Sequence, residues 1–154
     1  MMKTIASFTV NHDLLERGIY LSRIDGDAVT YDIRMKKPNA GSYLSNGALH
    51  TIEHLLATYV RNSEQSDKVI YAGPMGCRTG FYLVVRDTLS PAGAVTLIQQ
   101  AFDAIRQFDG EIPGHQQQEC GNYQEHDLVG ARQEATDFLA VIRDWTEDDI
   151  HYQA

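Results

Sequence analysis

The chain has 154 residues, 43% of them hydrophobic, enough for one domain that buries roughly 70% of its unfolded surface without disulfide staples. Against 13 Lys and Arg stand 21 Asp and Glu, a formal charge of -8 that repels phosphate backbones and anionic bilayers, so nucleic acid and membrane are excluded as partners. The opening Met1-Met2-Lys3-Thr4-Ile5-Ala6-Ser7-Phe8 lacks the apolar run of a signal peptide and no stretch reaches transmembrane length, so the expected location is the cytoplasm.

Phe8 to Leu15 holds His12 within Asn11-His12-Asp13 and has neither strand nor helix period; taken locally, His12 is an exposed surface residue. Ile19 to Ile24 reads as a strand, Asp25-Gly26-Asp27 as a turn, and Ala28 to Met35 as the returning strand of a hairpin. In that second strand Val29, Tyr31, Ile33 and Met35 alternate with Thr30, Asp32 and Arg34, which puts Arg34 on the polar face. It is there either a solvated charge or an anchor for a substrate carboxylate. Pro38-Asn39-Ala40-Gly41 ends the strand.

Ala48, Leu49, Ile52, Leu55, Leu56, Tyr59 and Val60 then recur at helical spacing, with Ser45 or Asn46 as cap and a break at Asn62-Ser63. Inside this helix lies His50-Thr51-Ile52-Glu53-His54. At 3.6 residues per turn His50 and His54 are about 40° apart around the axis, so both rings reach one metal ion. Glu53 is placed to exchange protons beside such an ion without ligating it. Two histidines four apart also arise on ordinary solvated helix faces; the glutamate completes the inverted zinc-helix pattern H-x-x-E-H and favours the metal reading. A catalytic ion takes three protein ligands and keeps an open position, so a third donor must come from elsewhere.

Lys68 to Tyr71 begins a strand that stops at Gly73-Pro74-Met75-Gly76, a turn presenting Cys77-Arg78-Thr79-Gly80, and Phe81 to Arg86 is the next strand. The glycines leave the backbone near Cys77 open to a ligand and Arg78 favours its thiolate, although a free cysteine is more often buried and inert. Ser90-Pro91 opens a second helix with Val95, Ile98, Ala101, Phe102 and Ile105 inward. Glu111 to Gly114 is a loop, Glu119 to His126 holds several possible ligands, and Asp127 caps a last helix running to about Ile142. The acidic tail with Trp145 carries no pattern. With no repeat or linker, residues 1–154 read as a single α+β domain, an antiparallel sheet with helices laid on one face. Spacing leaves Cys120, Glu119, His126 and Cys77 all competing for the third metal position, and a thiolate beside two imidazoles suits zinc or ferrous iron.

Three blocks coincide with one family: His50-Thr51-Ile52-Glu53-His54-Leu55-Leu56-Ala57, Pro74-Met75-Gly76-Cys77-Arg78-Thr79-Gly80-Phe81-Tyr82, and Cys120-Gly121 followed by His126-Asp127-Leu128. Ser7-Phe8 with His12, and Tyr31-Asp32-Ile33-Arg34 before Pro38-Asn39, match as well. The chain resembles S-ribosylhomocysteine lyase, the LuxS family, whose compact fold is related to metallopeptidases. The resemblance implies His50, His54 and Cys120 as ligands of one Fe2+ per subunit, replaceable by Zn2+ or Co2+. It implies Cys77 as catalytic thiol, Glu53 as proton-transfer group, and Ser7, His12 and Arg34 as contacts to the substrate S-ribosylhomocysteine. A homodimer with active sites at the subunit interface is also implied, as are the products homocysteine and 4,5-dihydroxy-2,3-pentanedione, the autoinducer-2 precursor. Three positions depart from the family pattern: Asn11 and Tyr71 stand where aspartate is usual, and Gly73 where serine is usual. Two other classes compete, an H-x-x-E-H zinc metallopeptidase and a non-catalytic metal-binding dimer.

Overall fold

In the computed structural model, which describes residues 1–153, four strands form one antiparallel sheet: β1 (Gly18–Asp25), β2 (Ala28–Arg34), β3 (Val69–Pro74) and β4 (Gly80–Arg86). Their order across the sheet is β1-β2-β4-β3. Three helices, α1 (Asn46–Asn62), α2 (Pro91–Gln107) and α3 (Leu128–Ile142), complete an α+β architecture. Each helix starts where a side chain satisfies an otherwise orphaned amide. Ser45 Oγ accepts from Ala48 N at 3.2 Å, Ser90 Oγ from Gly93 N at 3.0 Å, and Asp127 Oδ1 from Gly130 N at 2.9 Å. Such a cap stabilises a helix by about 0.5–2 kcal/mol.

One core joins the sheet to the helices. Val29, Tyr31 and Ile33 of β2, with Phe81, Leu83 and Val85 of β4, meet Ile52, Leu56 and Val60 of α1 and the apolar faces of α2 and α3. The alternation expected along β2 and the helical stripes expected along α1 and α2 are therefore the surfaces that pack. Phe102 of α2 and Phe138 of α3 lie edge to face at the centre, ring centroids 5.0 Å apart, both fully buried. Phe102→Ala is expected to cost about 3–5 kcal/mol, read as a lowered denaturation midpoint, because it leaves a cavity at a fully buried position.

Two local readings change. The segment Gly73-Pro74, expected to be a turn, stays in β3, with Gly73 opposite Tyr82 and Pro74 opposite Phe81. An edge strand needs ladder hydrogen bonds on one side only, so proline is tolerated at its end. At Gly80, opposite Arg34, a Cβ would collide with the Ile33 carbonyl, so glycine lets β4 approach β2 just after the Cys77 loop.

The second change concerns the tail. Trp145 Nε1 donates to Ile19 O at 2.9 Å, Leu21 N donates to Ile150 O at 2.8 Å, and Tyr152 stacks on Tyr20 with centroids 5.1 Å apart. The tail thus lies along β1 and covers the sheet around Tyr20 and Asp32. Asp32 and Arg34, on the polar face of β2, are 1% and 3% exposed, so of the two readings of Arg34 the solvated charge does not hold. No helix among the described residues is long and apolar enough to cross a membrane.

Candidate metal centre and active site

α1 turns His50 and His54 toward one point, and each ring is oriented from behind by a backbone carbonyl. His50 Nδ1 lies 2.8 Å from Glu125 O, and His54 Nδ1 lies 2.8 Å from Pro113 O. A carbonyl only accepts, so both Nδ1 atoms carry the proton and both Nε2 atoms keep a free lone pair. This is the outer support that metal-ligating histidines need. Cys120, brought in by the long connection between α2 and α3, sits with Sγ 3.3 Å from His50 Nε2 and 3.9 Å from His54 Nε2. Tetrahedral bonds of about 2.05 Å to nitrogen and 2.3 Å to sulfur put such donors about 3.6 Å apart, so the spacing fits one ion.

His126 completes the cluster, and the donor atoms of His50, His54, Cys120 and His126 all lie within 4.8 Å of one another. Its ring stacks on His50 at 4.1 Å and its Nδ1 is 2.9 Å from Thr51 Oγ1, while its buried Nε2 has no protein partner. Burial, then the neighbouring His50, His54 and His115, lower its pKa to about 4, so the imidazole is neutral at physiological pH. A cysteine sulfur with three imidazoles, one of them holding an orphaned buried nitrogen, suits a divalent transition metal such as zinc or iron.

Among the four candidates for the third donor, the fold thus brings in Cys120 and His126. Glu119 turns its carboxylate back to accept from Gln116 N at 3.1 Å, and Cys77 pairs with Thr79. Glu53 stays outside the cluster with Oε1 4.0 Å from His54 Nε2, two-thirds shielded from solvent, close enough to serve a proton beside the donors.

Cys77 is exposed at the tip of the β3–β4 connection. The next residue, Arg78, adopts the left-handed φ of 61°, which a non-glycine residue holds at a cost of about 1–2 kcal/mol. Its guanidinium donates to Leu44 O at 3.2 Å and lies over Tyr43, 5.9 Å from the ring centroid. The cation wired to Cys77 is instead Arg34, whose Nη1 donates to Thr79 Oγ1 at 2.8 Å, with Cys77 Sγ 3.0 Å from the same oxygen.

Arg34 is itself anchored by Asp32, Nη2 to Oδ2 at 2.7 Å, and Tyr152 Oη donates to that Oδ2 at 2.7 Å. Burial works against the guanidinium's charge, but Asp32 outweighs it and holds its pKa above the ordinary arginine value. Burial, then Asp32, push the Tyr152 phenol far up, so it remains a donor. Arg34 Nε is buried with no partner, a free donor in this network. Asp32→Ala would strand a buried guanidinium, and a loss of about 3–5 kcal/mol is expected in chemical denaturation.

Ser7 lies in a short 3-10 turn, Ala6–Phe8, and His12 Nδ1 pairs locally with Val10 O at 2.8 Å. Among the described residues no hydrogen bond or ion pair joins either to Arg34, Cys77 or the donor cluster. Two contributors escaped the sequence reading: Thr79, hidden inside a motif read for its cysteine, and Tyr152, in a tail without periodicity.

Fold and site together define an α+β protein whose inverted H-x-x-E-H helix shares a His/Cys site of the kind that takes a divalent ion. The family model described as S-Ribosylhomocysteinase (LuxS) matches residues 5–149. The S-ribosylhomocysteine lyase of Phocaeicola vulgatus is 50% identical over 98% of both chains. That of Borreliella burgdorferi is 43% identical over 98% of this chain and 99% of the relative, and that of Desulfotalea psychrophila 44% over 93% of each. The chain belongs to the LuxS family.

Proposed function

We propose that this chain, as a single domain over residues 1–154, cleaves the thioether of S-ribosylhomocysteine to homocysteine and 4,5-dihydroxy-2,3-pentanedione, the autoinducer-2 precursor. The observation that carries this reading is the division of the two cysteines. Cys120 faces two Nε2 lone pairs, while Cys77 stays outside the donor set as an exposed thiol. The full-length relatives above carry the lyase name. His50, His54 and Cys120 would hold one divalent ion per chain, ferrous iron with zinc or cobalt as substitutes. When bound, the ion supplies a Lewis acid that polarises carbonyl oxygen.

The chain's own residues then move protons. Cys77, as thiolate, takes a proton from carbon 2 of the open-chain sugar and returns it to carbon 1, so carbonyl character moves inward. Glu53 serves the later transfers beside the donors. With a carbonyl at carbon 3, loss of the proton on carbon 4 expels the sulfur on carbon 5, and homocysteine leaves as the thiol. Arg34, Ser7 and His12 would contact the substrate, with the Arg34 guanidinium as the group whose charge suits its carboxylate. As the family resemblance implies, the assembly would be a homodimer with active sites at the subunit interface. A cytoplasmic location accords with this small-molecule chemistry.

Peptide hydrolysis is the less favoured reading. The inverted-helix peptidases take a glutamate as third ligand, whereas Glu119 turns away and a cysteine faces the histidines. Incubating the metal-loaded protein with S-ribosylhomocysteine should release one thiol per substrate consumed. Peptide cleavage without thiol release would overturn the lyase reading.

A further inference from the structure

Arginine has only donors, so the 2.8 Å contact from Arg34 Nη1 makes Thr79 Oγ1 an acceptor. The hydroxyl proton must then point elsewhere. Two atoms are within reach, Cys77 Sγ at 3.0 Å and Met75 Sδ at 4.0 Å, and the cysteine sulfur is much the nearer. Thr79 is also fixed in place: it is 2% exposed, and its carbonyl accepts from both Met35 N at 2.8 Å and Lys36 N at 2.9 Å.

We infer that Thr79 is the positioning residue for the Cys77 sulfur, its hydroxyl held as acceptor by Arg34 and donating its own proton to the thiolate. This deepens the lyase reading and rests on it for Cys77's role as proton carrier. The hydroxyl suits both states of the sulfur. When Sγ is a thiolate, Thr79 donates to it; when Sγ carries a proton, that S–H turns toward the second lone pair of Oγ1, and the hydroxyl hydrogen rotates away. The sulfur therefore keeps its place while it takes up and gives back a proton, and the charge of Arg34 reaches it through one polarised bond. The other charged group beside Cys77, Arg78, spends its guanidinium on Leu44 O and the Tyr43 ring. The ordinary reading of Thr79 as a buried hydroxyl satisfied by Arg34 accounts for one of its contacts and leaves the sulfur contact unexplained.

The test compares Thr79→Val, Thr79→Ala and Thr79→Ser in the metal-loaded full chain, reading iodoacetamide alkylation of Cys77 at neutral pH beside lyase turnover. Loss of a hydrogen bond to a charged group should slow alkylation roughly tenfold or more in both the valine and alanine variants. Turnover should fall in kcat with KM little changed, and Thr79→Ser should restore both. Valine fills the space and alanine empties it, so agreement between them assigns the effect to the hydroxyl and not to packing. Alkylation at the wild-type rate in either variant, or a serine variant as slow as the valine one, would overturn the inference. Absence of thiol release from wild-type protein would instead overturn the lyase reading, and the alkylation comparison would still decide the role of Thr79.

Discussion

Replacing Cys120 with alanine is expected to empty the metal site, while replacing Cys77 with alanine leaves the ion in place and abolishes turnover. Cys120 Sγ is 3.3 Å and 3.9 Å from His50 Nε2 and His54 Nε2, so its loss removes the one sulfur among four converging donors. Even partners behind metal ligands lower affinity roughly 10–100-fold when removed, and a direct thiolate should matter more. Cys77 makes no contact with that cluster and pairs with Thr79. Under the proposed mechanism its removal takes away a general acid and base, a function that contributes roughly 10²–10⁴-fold to a rate. Metal analysis after dialysis, alongside thiol release, separates the two cysteines. Metal lost with Cys77 and kept without Cys120 would reverse the assignment.

Much of that centre was legible in the sequence. The i, i+4 spacing of His50 and His54, with Glu53 between them, needs only one helix, and the stripe from Ala48 to Val60 supplied it. Ser90-Pro91 and Asp127 marked the starts of α2 and α3 for the same local reason, a short polar side chain ahead of an apolar period. The third donor was not local. Cys120 lies 70 and 66 residues from His50 and His54, and nothing along the chain distinguished it from Glu119, His126 or Cys77; the fold turns Glu119 and Cys77 to other partners and brings Cys120 and His126 in. Family resemblance named Cys120; it did not foresee that His126 would lie in the same cluster with a free buried nitrogen.

Arg34 shows the other limit. Alternation along β2 gave its face correctly, but whether that face meets solvent or a covering segment is not a local property, and the tail that reaches Asp32 beside it has no periodicity to read. Tyr152 reaches Asp32 across 120 residues. The Gly73-Pro74 pair misled for a related reason, since punctuation residues mark turns only where the neighbouring strand does not continue the pairing.

Glu53→Gln is expected to stall the reaction after it has begun. The amide keeps the shape of the side chain beside His54 and loses the ability to accept and return protons, so under the proposed division the first exchange, assigned to Cys77, should still run while the later transfers stop. In deuterated solvent the Glu53→Gln protein should wash deuterium into the sugar near carbons 1 and 2 without releasing homocysteine. The Cys77→Ala protein should show neither event. Identical exchange patterns in the two variants, followed by NMR, would defeat the division of labour.

Anaerobic titration of metal-free protein with ferrous iron asks whether the His50, His54 and Cys120 donors make this chain a lyase for S-ribosylhomocysteine. Thiol release from S-ribosylhomocysteine should rise in proportion to added iron and level off at one ion per chain. Homocysteine release that is independent of iron, or none at full loading, would contradict it.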